Sequence, residues 1–238
     1  DQEEVAQKVA RYDIMAIPVV DEGHHMLGII THDDVLDVMV EEATEDAHRI
    51  AAVEPLEEGY LETPVLQLTW KRGIWLTVLF FAAFLTAIAL ARYKADLDKA
   101  VWLALFIPLV ISTGGNTGNQ SATLIITALS TGDIALGDWW AVVRRELAMG
   151  LLLGGFLAVC GYVCALFMVP SAMLALIIPI TLVLLVICGT LLGGLLPLLL
   201  KRLGLDPAMM SNPFVAGIVD ILGIVIYINI ARLILGGP

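Results

Sequence analysis

Past residue 72 the chain alternates long apolar runs with short polar joints. Five runs stand out, at about 73–91, 101–129, 143–169, 173–200 and 211–235. A helix needs ~20 mostly apolar residues to cross a bilayer, and these runs supply them. The uncharged joint at Pro170-Ser171 predicts a tight turn. Residues 1–52 carry a different pattern. Glu4, Val5, Val9 and Ala10 begin an amphipathic helix, and Ile14 to Val20 is a short apolar strand with Pro18 inside. Asp21-Glu22-Gly23 reads as a turn and Met26 to Ile30 as a second strand. Thr31 then caps a helix that runs to about Ala52, with Asp33 and Asp34 in its first turn, where carboxylates suit the helix dipole. Residues 53–69, with Pro55, Gly59 and Pro64, read as a linker holding one or two short helical pieces. The expected fold class is an α-helical membrane protein with five transmembrane helices, preceded by a small α/β module and a connecting acidic helix.

Charge sharpens this division. The 238 residues are 59% hydrophobic yet carry a net charge of −11. Residues 1–70 hold 17 acidic and 3 basic residues, net −14, while residues 71–238 hold 7 acidic and 10 basic, net +3. An acidic, water-facing segment therefore precedes a membrane domain. The acidic part repels nucleic acid and anionic headgroups and attracts cations. Lys71, Arg72, Arg144, Arg145, Lys201 and Arg202 fall on one side of the five spans, and Arg92, Lys94, Lys99 and Arg232 on the other. The excess of positive charge on the first side predicts a multi-pass protein of the inner or plasma membrane, N-terminal segment cytoplasmic and C-terminus outside. The sequence opens on Asp1, which reads as a piece of a longer chain. Cys160, Cys164 and Cys188 lie inside apolar runs and read as lipid- or core-facing side chains, without a disulfide framework.

Two apolar runs carry polar residues that lipid would not tolerate. Asp220 stands near the middle of the last run, and an ionisable side chain there costs ~2.5–3.5 kcal/mol unless it meets a polar cavity. Asn212, Ala216, Asp220, Gly223 and Tyr227 recur at helical spacing and predict one stripe suited to a cation path. A carboxyl hydrogen-bonded inside the bundle is the alternative. The second run is interrupted by "STGGNTGNQSAT", residues 112–123. Ser112, Asn116, Asn119 and Thr123 form another stripe. Gly114, Gly115 and Gly118 permit close backbone approach or a local break in the helix. Gly114 and Gly118 also fit a small-residue packing motif, which explains the glycines but not the amides, so pore lining is favoured with packing as a second role. Two polar stripes per chain suggest a symmetric dimer, in which paired Asp220 carboxylates bind a divalent ion.

The stretch "IPVVDEGHHMLGIITHDDVLDV" resembles the second half of a CBS domain, over residues 1–40. Thr31 and Asp34 match positions with which some CBS domains hold a nucleotide such as ATP. His24 and His25 sit in the turn and read as solvent-exposed. The following acidic helix and linker span 33–69. Asp34, Asp37, Glu41 and Glu45 share one face, with Glu42 and Asp46 beside them. Seven carboxylates in fourteen residues, 33–46, repel one another. Mg²⁺ binding would relieve that repulsion, and a solvated acidic face is the equal alternative.

With "PLVISTGGNTGNQSATLIITALSTGDI" and "LDPAMMSNPFVAGIVDILGIVIYINIARLIL" added, nearly all of residues 1–238 resemble MgtE-type magnesium channels. The resemblance implies a homodimer selective for Mg²⁺, with a pore domain at 70–238 and the pore made by the second and fifth of five membrane helices. It implies that Asp220 is the pore carboxylate and that Asn119, Thr123, Asn212 and Ala216 are pore and gate positions. It implies that the acidic helix acts as a plug, with cytosolic Mg²⁺ bridging acidic positions similar to Asp34, Asp37, Glu42, Glu45, Asp46 and Asp206. Mg²⁺ holds its waters tightly, so outer-sphere selection of the hydrated ion is expected.

Three other readings compete. One is a less selective carrier for Mn²⁺ or Co²⁺, weakly supported without a membrane His. Another is a proton-coupled carrier, since one buried Asp could serve either. The third is a membrane-anchored sensor of Mg²⁺ or nucleotide, which has no use for Asp220. An enzyme is not expected, because no nucleophile–base set, phosphate loop or zinc spacing is present.

Overall fold

A computed structural model describes residues 2–56 and 58–236; Asp1, Glu57, Gly237 and Pro238, at the edges of the N-terminal module and the last run and within the linker, lie outside them. The N-terminal module is helix α1 (Gln2–Tyr12), strands β1 (Ala16–Val20) and β2 (Met26–Thr31), and helix α2 (His32–Ile50). The strands pair antiparallel, Ala16 opposite Thr31 and Ile17 opposite Ile30, with an irregularity at Val19/Val20. One face of this two-stranded sheet is covered. Ala6 and Val9 of α1 and Val35 of α2 pack with Ile17, Ile30 and Val38 in a small core. The turn between the strands is tied by Asp21, which accepts from the His25 main-chain N–H at 2.8 Å. His24 adopts positive φ there, and both histidines are exposed.

The membrane part comprises α3 (Val65–Arg92), α4 (Lys94–Lys99), α5 (Trp102–Ser130), α6 (Trp139–Met168), α7 (Ala172–Ala175), α8 (Ile177–Arg202) and α9 (Asn212–Leu235). Four stretches among the described residues are long and apolar enough to cross a membrane: Val65–Arg92, Leu136–Met168, Ala172–Arg202 and Asn212–Leu235. Helix α5 is as long as these, but its run of amides, hydroxyls and glycines lowers its apolar content. The core is built around α8, against which α5, α6 and α9 all pack. Leu185, Val186, Ile178 and Leu182 of α8 are buried with Leu103 and Val110 of α5 and Val215, Val219 and Ile224 of α9. Helix α3 touches mainly α9 and buries none of its own residues. Phe80, Phe81 and Phe84 lie exposed along it.

Several expectations need correction. The first long helix begins at Val65 rather than about 73, because Pro64 sets the extended backbone that a helix start needs. The linker is correspondingly shorter. Helix α5 is continuous from Trp102 to Ser130, so its glycines serve close approach and not a break. An α-carbon branch on Gly193 would strike the Gly118 carbonyl, and one on Gly189 would lie 3.1 Å from the Gly114 carbonyl, so α5 and α8 touch backbone to backbone. The fourth run is divided, with the short α7 preceding α8. The three cysteines are free, Cys160 and Cys164 exposed and Cys188 half-buried.

Candidate ion path along helices α5 and α9

Helices α5 and α9 run antiparallel. Thr123 meets Asn212 at one level, where the Asn212 Nδ2 donates to the Thr123 hydroxyl at 3.1 Å. Gly115 meets Ala216 and Asp220 two turns further along. A branch on Gly115 would come within 3.3 Å of the Ala216 Cβ and 3.4 Å of an Asp220 carboxylate oxygen. The lack of a side chain at 115 thus leaves room for the Asp220 carboxylate. Helix α9 is started by Ser211, with Pro213 in its first turn, where a missing N–H costs nothing.

Asn212, Ala216 and Asp220 share a half-exposed face. Among the described residues no hydrogen bond or ion pair engages the Asp220 side chain. On α5, Ser112, Asn116 and Gln120 are exposed and Asn119 and Thr123 half-exposed. Asn116 Nδ2 reaches only its own helix, donating to Ser112 Oγ at 3.3 Å, and the Asn119 side-chain oxygen is enclosed without a partner among the described residues. A row of amides and hydroxyls therefore lies open beside an unpaired carboxylate, on helices whose other faces are packed.

The predicted α9 stripe does not hold along its whole length. Gly223 and Tyr227 are buried. The Tyr227 hydroxyl donates to the Leu103 carbonyl at 3.0 Å, which ties α9 to the start of α5. At 3.6 residues per turn both positions stay within the arc that Asn212 and Asp220 define, so the neighbours at their level cover them: Leu185 and Val110 beside Gly223 and Leu103 beside Tyr227.

The acidic helix α2 docks on the end of the bundle where α5 and α8 finish. The Ser130 hydroxyl donates to Asp46 at 2.8 Å. Arg49 pairs with Glu45 on its own helix and with Asp206 of the loop before α9. Asp206 also accepts from the Ala208 N–H at 2.8 Å, and Lys201 Nζ donates to the Leu129 carbonyl at 3.1 Å. At the opposite end Arg232 pairs with Asp96 at 2.7 Å and lies over the Tyr93 ring at 5.0 Å. The charges thus segregate to two ends. Burial, then the neighbouring Glu45, Asp46 and Glu41, push the Glu42 carboxyl above its ordinary value, with Arg49 opposing. Asp34 is used locally: its carboxylate accepts from the Thr31 hydroxyl at 2.6 Å and the Thr31 N–H at 3.0 Å, and those bonds hold it below the usual carboxylate range. Asp37 is exposed on α2. Among the described residues no three His, Cys, Asp or Glu side chains converge on one point within the chain.

Sequence reasoning passed over Glu146. It lies inside α6 and is 7% exposed, accepting from the Ser121 hydroxyl at 2.7 Å. A lone acidic residue just inside an apolar run was the available signal, masked by the adjoining Arg144 and Arg145.

Residues 107–230 match the family model MgtE, described as a divalent cation transporter, and residues 1–41 match the CBS domain. The chain is 44% identical over 235 residues, 99% of its length, to the "Magnesium transporter MgtE" of Thermus thermophilus, covering 52% of that protein. It is 33% identical over 231 residues to the "Magnesium transporter MgtE" of Bacillus subtilis, covering 97% of this chain and 51% of that one. The chain thus spans about half the length of these curated relatives. The matched family is one of transporters rather than enzymes, and its match takes in most of α5 and most of α9, the two helices that hold the open polar face. With its α5–α9 polar face, its apolar helices and its N-terminal CBS portion, the chain belongs to the MgtE family of divalent cation transporters.

Proposed function

We propose that the chain forms the conducting part of a Mg²⁺ channel or transporter, in which α5 and α9 of two copies line one path. The observation that carries this reading is Asp220: a half-exposed carboxylate in the interior of an apolar helix, without a partner among the described residues, beside the amides of α5. An unpaired charge at that depth is costly, and a cation removes the cost. One carboxylate is a weak cage for a divalent ion, and a two-fold would bring a second. The names of the relatives support Mg²⁺ as the transported ion. Asn212, Ala216, Asn116, Asn119 and Thr123 contribute neutral oxygens and space, which suits an ion that keeps its waters. Direct Asp220–Mg²⁺ contact at ~2.1 Å in a density map would overturn outer-sphere passage.

Helix α5 is the second of five spans in this arrangement and α9 the fifth, with α5 packed between α8 and α9 and its polar face toward the path. The cytoplasmic side is the end that carries α2, and the C-terminus is outside, in keeping with the Lys and Arg excess at the α2 end. The dock of α2 beneath α5 suits a gate. Cytosolic Mg²⁺ joining Glu42, Glu45, Asp46 and Asp206, with Asp34 and Asp37 toward the CBS part, holds α2 in place and closes the path. Nucleotide at Thr31 and Asp34 is a weaker part of this reading, because the Asp34 carboxylate already caps its own helix.

Mg²⁺ uptake into proteoliposomes tests the reading, comparing the chain with Asp220→Ala and Asp220→Asn. Uptake by the parent, lost in both variants, is the expected result. Equal uptake by all three places the path elsewhere. A parent that is silent at all Mg²⁺ concentrations, yet binds Mg²⁺, favours a membrane-anchored sensor.

A further inference from the structure

Glu146 belongs to the buried stripe of α6, which runs Val142, Glu146, Gly150, Gly154, Ala158 and faces α8. Its carboxylate does not stop at α8. It reaches past it to Ser121 on α5, whose side chain is 6% exposed. Two consecutive glycines of α8 make the passage. A branch on Gly194 would lie 2.9 Å from Glu146 Cγ, and one on Gly193 would strike the Gly118 carbonyl and come within 3.0 Å of Ser121 Cβ. At the same level the Thr190 hydroxyl donates to the Glu146 main-chain carbonyl at 3.0 Å, and a branch on Gly150 would meet that hydroxyl at 2.7 Å. Backbone and side chain of residue 146 are therefore both held.

Ser121 is two residues from Asn119 and two from Thr123. At 3.6 residues per turn, a separation of two places side chains on nearly opposite sides of a helix. Whatever holds Ser121 toward α8 therefore turns Asn119 and Thr123 away from α8, toward the open face where Thr123 meets Asn212. We infer that Glu146 is a positioning residue: through Ser121 it fixes the rotation of α5 that presents Asn119 and Thr123 to α9. Its importance for ion passage rests on the transport reading above; the rotation itself does not. A hydrogen bond of this kind is directional, whereas the glycine contacts around it allow helices to slide and turn.

A cross-linking assay separates the two claims. In a chain with Cys160, Cys164 and Cys188 replaced by serine, Thr123→Cys and Asn212→Cys place two thiols across the α5–α9 contact. The rate of disulfide formation with a mild oxidant then reports the rotation of α5. Glu146→Ala, Ser121→Ala, the double variant and Glu146→Gln are added to this pair. Loss of the bond slows cross-linking by about tenfold, the scale of a lost buried hydrogen bond. The double variant is no slower than either single one, and Glu146→Gln, whose carbonyl still accepts from Ser121, retains most of the rate. Unchanged rates, additive singles, or a Gln variant as slow as Ala each overturn the inference. So does loss of a monodisperse fold in the Gln variant. Mg²⁺ uptake is measured in parallel with Thr123 and Asn212 intact. Slowed cross-linking beside a silent parent overturns the transport reading and leaves the positioning role standing.

Discussion

Asp220 and Glu146 are both carboxylates within apolar helices, and their surroundings differ in every respect that matters. Glu146 is enclosed, accepts a hydrogen bond from Ser121, and is flanked by Gly194, whose missing side chain makes room for it. Asp220 is half-exposed, has no partner among the described residues, and faces an open row of amides. A carboxyl completed by its own chain stabilises an arrangement of helices. One left incomplete is available to a group that the chain does not contain. The same residue chemistry thus gives a scaffold on one side of α5 and a candidate ion site on the other.

The sharpest break of this contrast is in transport. Asp220→Asn is expected to lower Mg²⁺ uptake roughly tenfold to a hundredfold, the range for losing a contact to a charged group, while Glu146→Gln falls far less. Similar losses in both would erase the distinction. Stability provides the next test, read as thermal unfolding in detergent. Gly193→Ala forces α5 and α8 apart and is expected to cost about 1–3 kcal/mol or more, as overpacking does. Gly217→Ala, whose branch would meet only Ala82 Cβ at 3.9 Å, is expected within about 0.5 kcal/mol of the parent. If the two behave alike, the close α5–α8 approach is wrong.

Glu146→Ala leaves the Ser121 hydroxyl without its partner and is expected to destabilise by about 1–3 kcal/mol. Asp220→Ala removes a carboxylate that nothing in the chain satisfies, so it is expected to be neutral or stabilising in the absence of Mg²⁺. Unfolding midpoints with and without Mg²⁺ read the difference, and a larger loss for Asp220→Ala without the ion would reverse the assignment. The smallest effect concerns Asp96, a third carboxylate, held below its ordinary value by Arg232. A depressed carboxylate contributes stability above its unfolded-state pKa and loses it as pH falls through the folded one. The gap in unfolding midpoint between the parent and Asp96→Asn should therefore be present at neutral pH and close in acid below about pH 4. A gap independent of pH would show that the pair adds nothing.

Most elements of the fold were legible because their signals are local. Thr31 before Asp33-Asp34, the strands either side of Asp21-Glu22-Gly23, and the apolar runs each announce an element within a few residues. The start of α3 was missed because Lys71 and Arg72 read as a boundary, although a helix tolerates charges beyond the bilayer. The open face was half legible. Asn212, Ala216 and Asp220 were picked out by spacing, and the structure sets them against Gly115 and Thr123. Gly223 and Tyr227 satisfied the same spacing and are core. Spacing ranks residues around a helix axis, but it does not say which neighbour covers them.

By itself the sequence determined the acidic α/β segment, the apolar helices behind it, and the presence of a carboxylate and a row of amides where lipid would reject them. Hydropathy and periodicity are properties of residues close in the chain, so they survive without coordinates. It took the packing of the helices to establish that α5 is unbroken, that α8 is the helix on which the others pack, and that Glu146 reaches Ser121 from 25 residues away in the chain. That packing also leaves Asp220 with no partner within the described chain. Those facts depend on which helix lies beside which, and backbone contacts between glycines such as Gly193 and Gly118 set that choice.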